Sequence, residues 1–455
     1  MKSFCFVVIS FCCSFVGLKY DRHSVNAAIF GQSITGSGSK NHGNTFEIVN
    51  EWKYLDFEYP TFVERQLAIL NGEFIPKNNL PLGIDVHGNR MFITTPRWKD
   101  GVPASLVTLA YPSKEISPPL QPYPNWQSHS SPNNADCSKL ISVYRTAIDA
   151  HCNRLWLIDS GIVNATIKLN QICPTKIIAY DLKTDEIIIS FELPASQIKQ
   201  DSLHSNILVD VRNGDCEDAH ALITDVWRFG IVVYSLRKHR SWRITNYNFL
   251  PNPSAADFNV YGLNFQWLDG VFGMSQSRER LLYFHPMASF KEFMVPLDSL
   301  LNESLWIGNS SVDTSQLFVP IGDRGFGGQS STSGIARNGV MFYTQVHRDN
   351  IGCWDTKKPY NRANLGMLLE PDNASMLIQF PNDLKVDQEI KQSVWVMSNR
   401  LPIYLYSQLD YGDINFRILR ANVDGIIDNT ICNPNYEAAN KQKSTLVSIE
   451  EGQCY

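Results

Sequence analysis

An apolar run closed by a polar residue recurs six times along this chain: MFITT from Met91, LWLID from Leu155, ALITD from Ala221, VFGMS from Val271, MFYTQ from Met341 and WVMSN from Trp395. The copies are broadly evenly spread, the shortest interval running from Ala221 to Val271 and the longest from Val271 to Met341. Such self-similarity constrains the fold more than any single motif, because each copy is a unit that covers its apolar surface only against its neighbours. Most copies follow a second short strand and a turn, as in GIDVHGN before Met91, TAIDAHCN before Leu155, SGIARNG before Met341 and LKVDQEIKQ before Trp395. Strand, turn, strand is the hairpin pattern. Every interval is long enough to hold two more strands beside the hairpin. The chain therefore reads as all-β, a six-bladed β-propeller with four antiparallel strands per blade. Ring closure requires a strand from one terminus to join a blade built from the other, so Glu47 to Asp56 is expected to pair in the last blade, after Phe416 to Leu419.

The ends of the chain read differently from its body. Met1-Lys2-Ser3 precedes an apolar run from Phe4 to Gly17, which has the length of a secretory signal and is too short to span a bilayer. Residues 1–17 are thus expected to be a signal peptide cleaved between Ser14 and Leu18, 18–45 a flexible linker, 46–435 the propeller and 436–455 a disordered tail. The expected product is secreted and extracellular, with no membrane association once the signal is removed. With 40 basic and 45 acidic residues and no Lys/Arg block, a nucleic-acid partner is not expected. Seven cysteines follow the signal segment, none in a C-x-x-C pair, so structural disulfides among Cys137, Cys152, Cys173, Cys216, Cys353 and Cys432 are expected, with Cys454 unpaired. Cys137 and Cys173 fall at the same end of one unit, and Cys152 and Cys216 occupy matching turns of successive units. Sequons at Asn164, Asn302, Asn309 and Asn373 are candidate glycosylation sites.

The polar residues that close the six runs are the candidate site, since equivalent strand ends of all blades point to one face. Asp159 and Asp225 are the candidate catalytic acid/base pair, and Thr95, Ser275, Gln345 and Asn399 the candidate ligand-binding residues. The competing reading makes all six turn residues. Trp156, Trp395 and Phe342 would stack on a flat ligand if they face inward. His204, His220 and His347 lie near the hairpins but read as hydrogen-bonded or surface residues. No nucleophile elbow, zinc-helix, P-loop or EF-hand motif is present, so neither a cofactor nor a metal is expected. The Gly-rich run from Gly322 to Gly334 has the look of a phosphate loop but lacks its lysine and its helix. It reads instead as the loop feeding the fifth blade.

The segments EWKYLDFEYP (Glu51 to Pro60), PRWKDGVPASL (Pro96 to Leu106), SVYRTAIDAHCNRLWLIDSG (Ser142 to Gly161), GFGGQSSTSG (Gly325 to Gly334) and VWVMSNR (Val394 to Arg400) closely resemble the Yellow / major royal jelly protein family of insects. The resemblance runs from about Glu51 to Pro434 and implies a secreted six-bladed propeller. It also implies a role in melanin or cuticle pigmentation, with a catechol-derived, dopachrome-like molecule bound in the channel or converted there by an isomerase or tautomerase activity. The alternatives it leaves open are a non-enzymatic binder of biogenic amines and a structural or nutritional secreted protein. The family's amine binders share Asn399 but carry an aromatic residue where this chain has Leu401.

Overall fold

A computed structural model describes residues 45–131, 134–166, 169–308, 313–370 and 377–436. The proposed signal peptide, nearly all of the linker, the tail beyond Tyr436, Cys454 and the sequons at Asn309 and Asn373 lie outside the described residues. Six four-stranded antiparallel sheets follow one another along the chain. Their innermost strands are Gly83–His87, Val143–Asp149, His204–Val211, Val271–Gln276, Ser333–Ile335 and Pro381–Val386. Each neighbours the next, and the first neighbours the last, which makes the ring of a six-bladed propeller. Five blades run outward as simple meanders. In the sixth, Pro381–Val386, Ser393–Ser398 and Phe416–Asn422 are joined on the outside by Glu47–Trp52 from the other end of the chain. Glu47 lies opposite Arg420 and Trp52 opposite Phe416, as ring closure was expected to require.

The apolar runs of the sequence are explained by where the second strands sit. Side chains alternate across a strand, and each blade is sandwiched between two others, so both faces are covered and the strand reads as continuously apolar. Leu155 and Leu157 pack with Phe92 and Leu106 of the first blade. Trp156 and Ile158 point the other way, into the cluster holding Ile207, Ala221 and Ile223 of the third. Val394 and Val396 meet Phe342 and Ile351 of the fifth blade, while Trp395 and Met397 enter the large cluster on the opposite side. The stacking expected of Trp156, Trp395 and Phe342 in the channel is therefore corrected: all three are buried between blades, and Trp395 Nε1 donates to Asp387 at 2.9 Å.

One copy of the repeat is also corrected. VFGMS forms the innermost strand of blade four, Val271–Gln276, whereas the other five runs form second strands. The true second strand is Leu281–Pro286, which starts midway between Ala221 and Met341. It ends in His-Pro rather than in a polar acceptor, so the pattern caught its neighbour instead.

Three disulfides tie the ring: Cys137–Cys173 within blade two, Cys152–Cys216 between the turns of blades two and three, and Cys353–Cys432 between blade five and the segment after blade six. Loops of this length correspond to about 4 kcal/mol each in the chain-entropy picture. Helices are few and short. Phe62–Leu70 starts with a reciprocal Thr61/Glu64 capping box, and Leu401–Tyr406 follows the second strand of blade six. A small hairpin, Asp257–Val260 with Leu263–Gln266, stands between blades three and four. Among the described residues no helix is long and apolar enough to cross a membrane.

Trp52 is 2% exposed, and its Nε1 donates to the Pro118 carbonyl of blade one at 2.9 Å, so the closing strand also clasps the neighbouring blade. Trp52→Ala is predicted to destabilise the protein by ~3–5 kcal/mol in urea unfolding. Ile48→Ala, at a position 39% exposed on the same strand, is predicted to cost only ~0.5 kcal/mol.

Candidate functional site

The six innermost strands converge on one mouth of the channel, and each blade contributes a residue there within two positions of its strand start: Leu82, Tyr144, Ser205, Phe272, Ser331 and Asn382. They floor a cavity of about 230 Å³. That is smaller than the roughly 300–1,000 Å³ of drug-sized sites and suits a ligand of one or two fused rings.

The walls come from the loops that leave the strands. Trp98 stands on the loop after the second strand of blade one, and the adjacent Arg97 explains why that loop holds its shape. The buried Arg97 guanidinium donates to the carbonyls of Val102 at 3.1 Å, Pro103 at 3.1 Å and Ser130 at 2.5 Å. Burial lowers its pKa to about 10, so it remains charged at neutral pH. Trp98 Nε1 donates to the Tyr144 hydroxyl at 2.5 Å. Trp227 follows the second strand of blade three, and Trp267 follows the small hairpin. Trp267 packs against Phe265, with ring centroids 4.7 Å apart. Its Nε1 reaches the hydroxyl of Tyr406 on the 401–406 helix at 2.5 Å. Leu401 and Leu405 of that helix complete the wall.

Asp269 is the one charged side chain among the described lining residues. One carboxylate oxygen accepts from Trp227 Nε1 at 2.8 Å; the other has no hydrogen-bond partner among the described residues. Burial among aromatic and aliphatic groups raises its pKa to about 6, against the opposing effect of the Trp227 hydrogen bond. A carboxylate that changes protonation near neutrality, in an aromatic cavity with no cationic side chain to neutralise it, is equipped to accept and return a proton. Ser205 adds a hydroxyl that has no hydrogen-bond partner among the described residues. Nothing in the sequence marked Asp269, because it precedes an innermost strand rather than ending one of the apolar runs.

The six polar residues singled out in the sequence do not form a common site. Asp159 is fully buried behind the cavity wall. Its carboxylate accepts from the backbone of Ile141 at 2.8 Å, Ser142 at 2.8 Å and Gly161 at 3.1 Å, with Lys176 Nζ at 3.8 Å. Asp225 accepts from Ser202 Oγ at 2.6 Å, the Leu203 amide at 3.1 Å, the Arg228 amide at 3.1 Å and Arg243 at 2.8 Å. These are latches that hold the loops entering the innermost strands of blades two and three. Thr344 and Ser398 make the same bond to Ser331 and Gln379. Neither aspartate lines the cavity. Thr95 donates to the Ala104 carbonyl at 2.5 Å. Asn399 donates to the Pro81 carbonyl at 2.8 Å, joining blade six to blade one. Ser275, bonded to Ser333 at 3.0 Å, lines a separate polar cavity of about 170 Å³ walled by the innermost strands. Gln345 lines a third cavity.

The histidines also stay out of the aromatic cavity. His204 is fully buried, with its pKa lowered to about 4 mainly by that burial. His220 bonds the Asp218 carbonyl at 3.1 Å. Of the described sequons, Asn302 is exposed, while Asn164 is half-buried and immediately precedes Ala165 and Thr166 of the cavity wall.

Because Asp225 faces Arg243 where neither side chain is solvated, Asp225→Asn leaves a buried cation without its partner. It is predicted to lower stability by ~3 kcal/mol or more in urea unfolding. Lost activity in that variant would then report on folding rather than on chemistry.

Residues 141–432 match the family described as "Major royal jelly protein". A protein of Drosophila melanogaster named "Dopaminechrome tautomerase" is 68% identical over 414 residues, covering 90% of this chain and 89% of its own. "Protein yellow" of Drosophila yakuba is 37% identical over 390 residues, covering 84% of this chain and 69% of its own, and that of Drosophila melanogaster is 36% identical over the same span. A repeat that builds six blades and a match of this extent agree: the chain belongs to the Yellow / major royal jelly protein family.

Proposed function

We propose that this chain is a secreted tautomerase of insect melanin or cuticle pigmentation, and that it converts a catechol-derived aminochrome of the dopaminechrome type in the aromatic cavity. The observation that carries the reading is the placement of Asp269, a carboxylate with a pKa of about 6 set among Trp98, Trp227, Trp267 and Phe272. A relative 68% identical carries the name "Dopaminechrome tautomerase", which supports the same substrate class. Three disulfides and the apolar run after Met1 support export.

The chemistry is an isomerisation with no net redox change. Two protons leave the saturated carbons of the five-membered ring, the electron pairs move into the quinone ring, and two protons arrive at the quinone oxygens. The product is a dihydroxyindole. The aromatic walls hold the flat substrate by stacking. Asp269, ionised at neutral pH, removes a carbon-bound proton through its unpartnered oxygen, and its protonated form returns one. Ser205 donates a hydrogen bond to a quinone oxygen, where negative charge develops. Excluding water from the cavity strengthens both interactions.

Asp269→Asn is predicted to lower kcat for dopaminechrome ~10²–10⁴-fold, with KM and thermal stability little changed, followed by loss of the substrate's visible absorbance. The same cavity also offers a carboxylate and aromatic faces to an ammonium group. Stoichiometric binding of dopamine without turnover of dopaminechrome by the wild-type protein would identify a carrier of biogenic amines and overturn the enzymatic reading.

A further inference from the structure

The Gly-rich run beginning at Gly322 feeds the innermost strand Ser333–Ile335, but it also borders a cavity of about 370 Å³ separate from the aromatic one. Arg324, Arg348 and Arg362 line it, and no carboxylate does among the described residues. Arg324 is buried at 3% exposure. Its donors are already engaged, by Glu292, the Gly328 carbonyl at 2.7 Å and the Tyr360 hydroxyl at 3.2 Å. Arg348 and Arg362 are exposed, and neither has an ion-pair partner among the described residues. Arg348 donates to the Phe326 carbonyl, which fixes it at the cavity edge. The Arg348 pKa is lowered, first by desolvation and also by repulsion from Arg362 and Arg324. Glycines lie against two of these arginines. A Cβ on Gly325 would fall 2.3 Å from Arg362 Nη2, and one on Gly327 3.4 Å from Arg348 Nε, where both backbones have positive φ. The other lining residues are mainly apolar: Phe326, 78% exposed, with Leu365 and Met367.

We infer that this cavity binds an oxyanion carried on an aromatic body, with the anion between Arg348 and Arg362 and the ring against Phe326, Leu365 and Met367. Guanidinium groups present paired donors that fit carboxylate and phosphate oxygens alike, so the shared chemistry is an aryl oxyanion, whether carboxylate or phosphate. The site does not depend on the tautomerase reading, since it shares no lining residue with the aromatic cavity.

The test is isothermal titration of the full mature chain at low salt with phenyl phosphate, benzoate and inorganic phosphate. Saturable binding of phenyl phosphate or benzoate is expected, at least tenfold tighter than inorganic phosphate. It should weaken at least tenfold in Arg348→Gln/Arg362→Gln and stay unchanged in Asp269→Asn. Whichever aryl compound binds tighter assigns the anion. The proposal is overturned if neither aryl compound binds saturably, if the double variant binds like wild type with an unchanged melting temperature, or if inorganic phosphate binds as tightly as the aryl compounds.

Discussion

The second strand of every blade is buried on both faces, and the requirement to cover both faces organises the molecule. A sheet whose second strand carries Leu155 and Leu157 on one side and Trp156 and Ile158 on the other is stable only between two similar sheets. An open row of such sheets would leave its end blades with one apolar face in water, so the row closes. Closure is completed by chain segments distant in sequence. Glu47–Trp52 completes blade six, Asn399 bonds the Pro81 carbonyl, and Arg145 of blade two pairs with Asp383 of blade six where both are buried.

Closure also makes the site. Six innermost strands that start at one mouth bring six residues within reach of one small molecule, although they are spread from Leu82 to Asn382. The loop before each of these strands must be fixed for the floor to be fixed. Asp159 holds the backbone of Ile141 and Ser142 just ahead of Tyr144, and Asp225 holds Leu203 just ahead of Ser205. Asp159 and Asp225 therefore act on the cavity from behind it.

This division explains what the sequence made legible. Burial on both faces leaves an apolar run at regular intervals, so blade number and the closing strand could be read directly, whereas the sequence placed Cys137 and Cys173 at the same end of one unit and left the disulfide pairing to the structure. Even blade four was marked, by the short interval before Val271 and the long one after it. The cavity residues carry no such period. Trp98, Trp227, Trp267 and Asp269 stand on loops of different length, and a loop's sequence does not tell which way its side chain faces. Asp159 and Asp225 drew attention because carboxylates end two of the runs. In the folded chain those carboxylates accept backbone N–H groups, the role that short polar side chains commonly take at turns.

The chemical character of the cavity rests on one hydrogen bond set against burial. Desolvation drives Asp269 towards its neutral form, and donation from Trp227 stabilises the carboxylate, leaving its pKa at about 6. If the carboxylate is the base, turnover rises with pH through that value and levels off above it. The most direct test is the pH profile of kcat for dopaminechrome in wild type and in Trp227→Phe, which keeps an aromatic wall but removes the donor. The account predicts an acid limb at a pH of about 6 in the wild type, moved to higher pH in the variant because the ionised form has lost its stabilising partner. An acid limb unchanged by the substitution, or a rate independent of pH across the acid-to-neutral range, would contradict it.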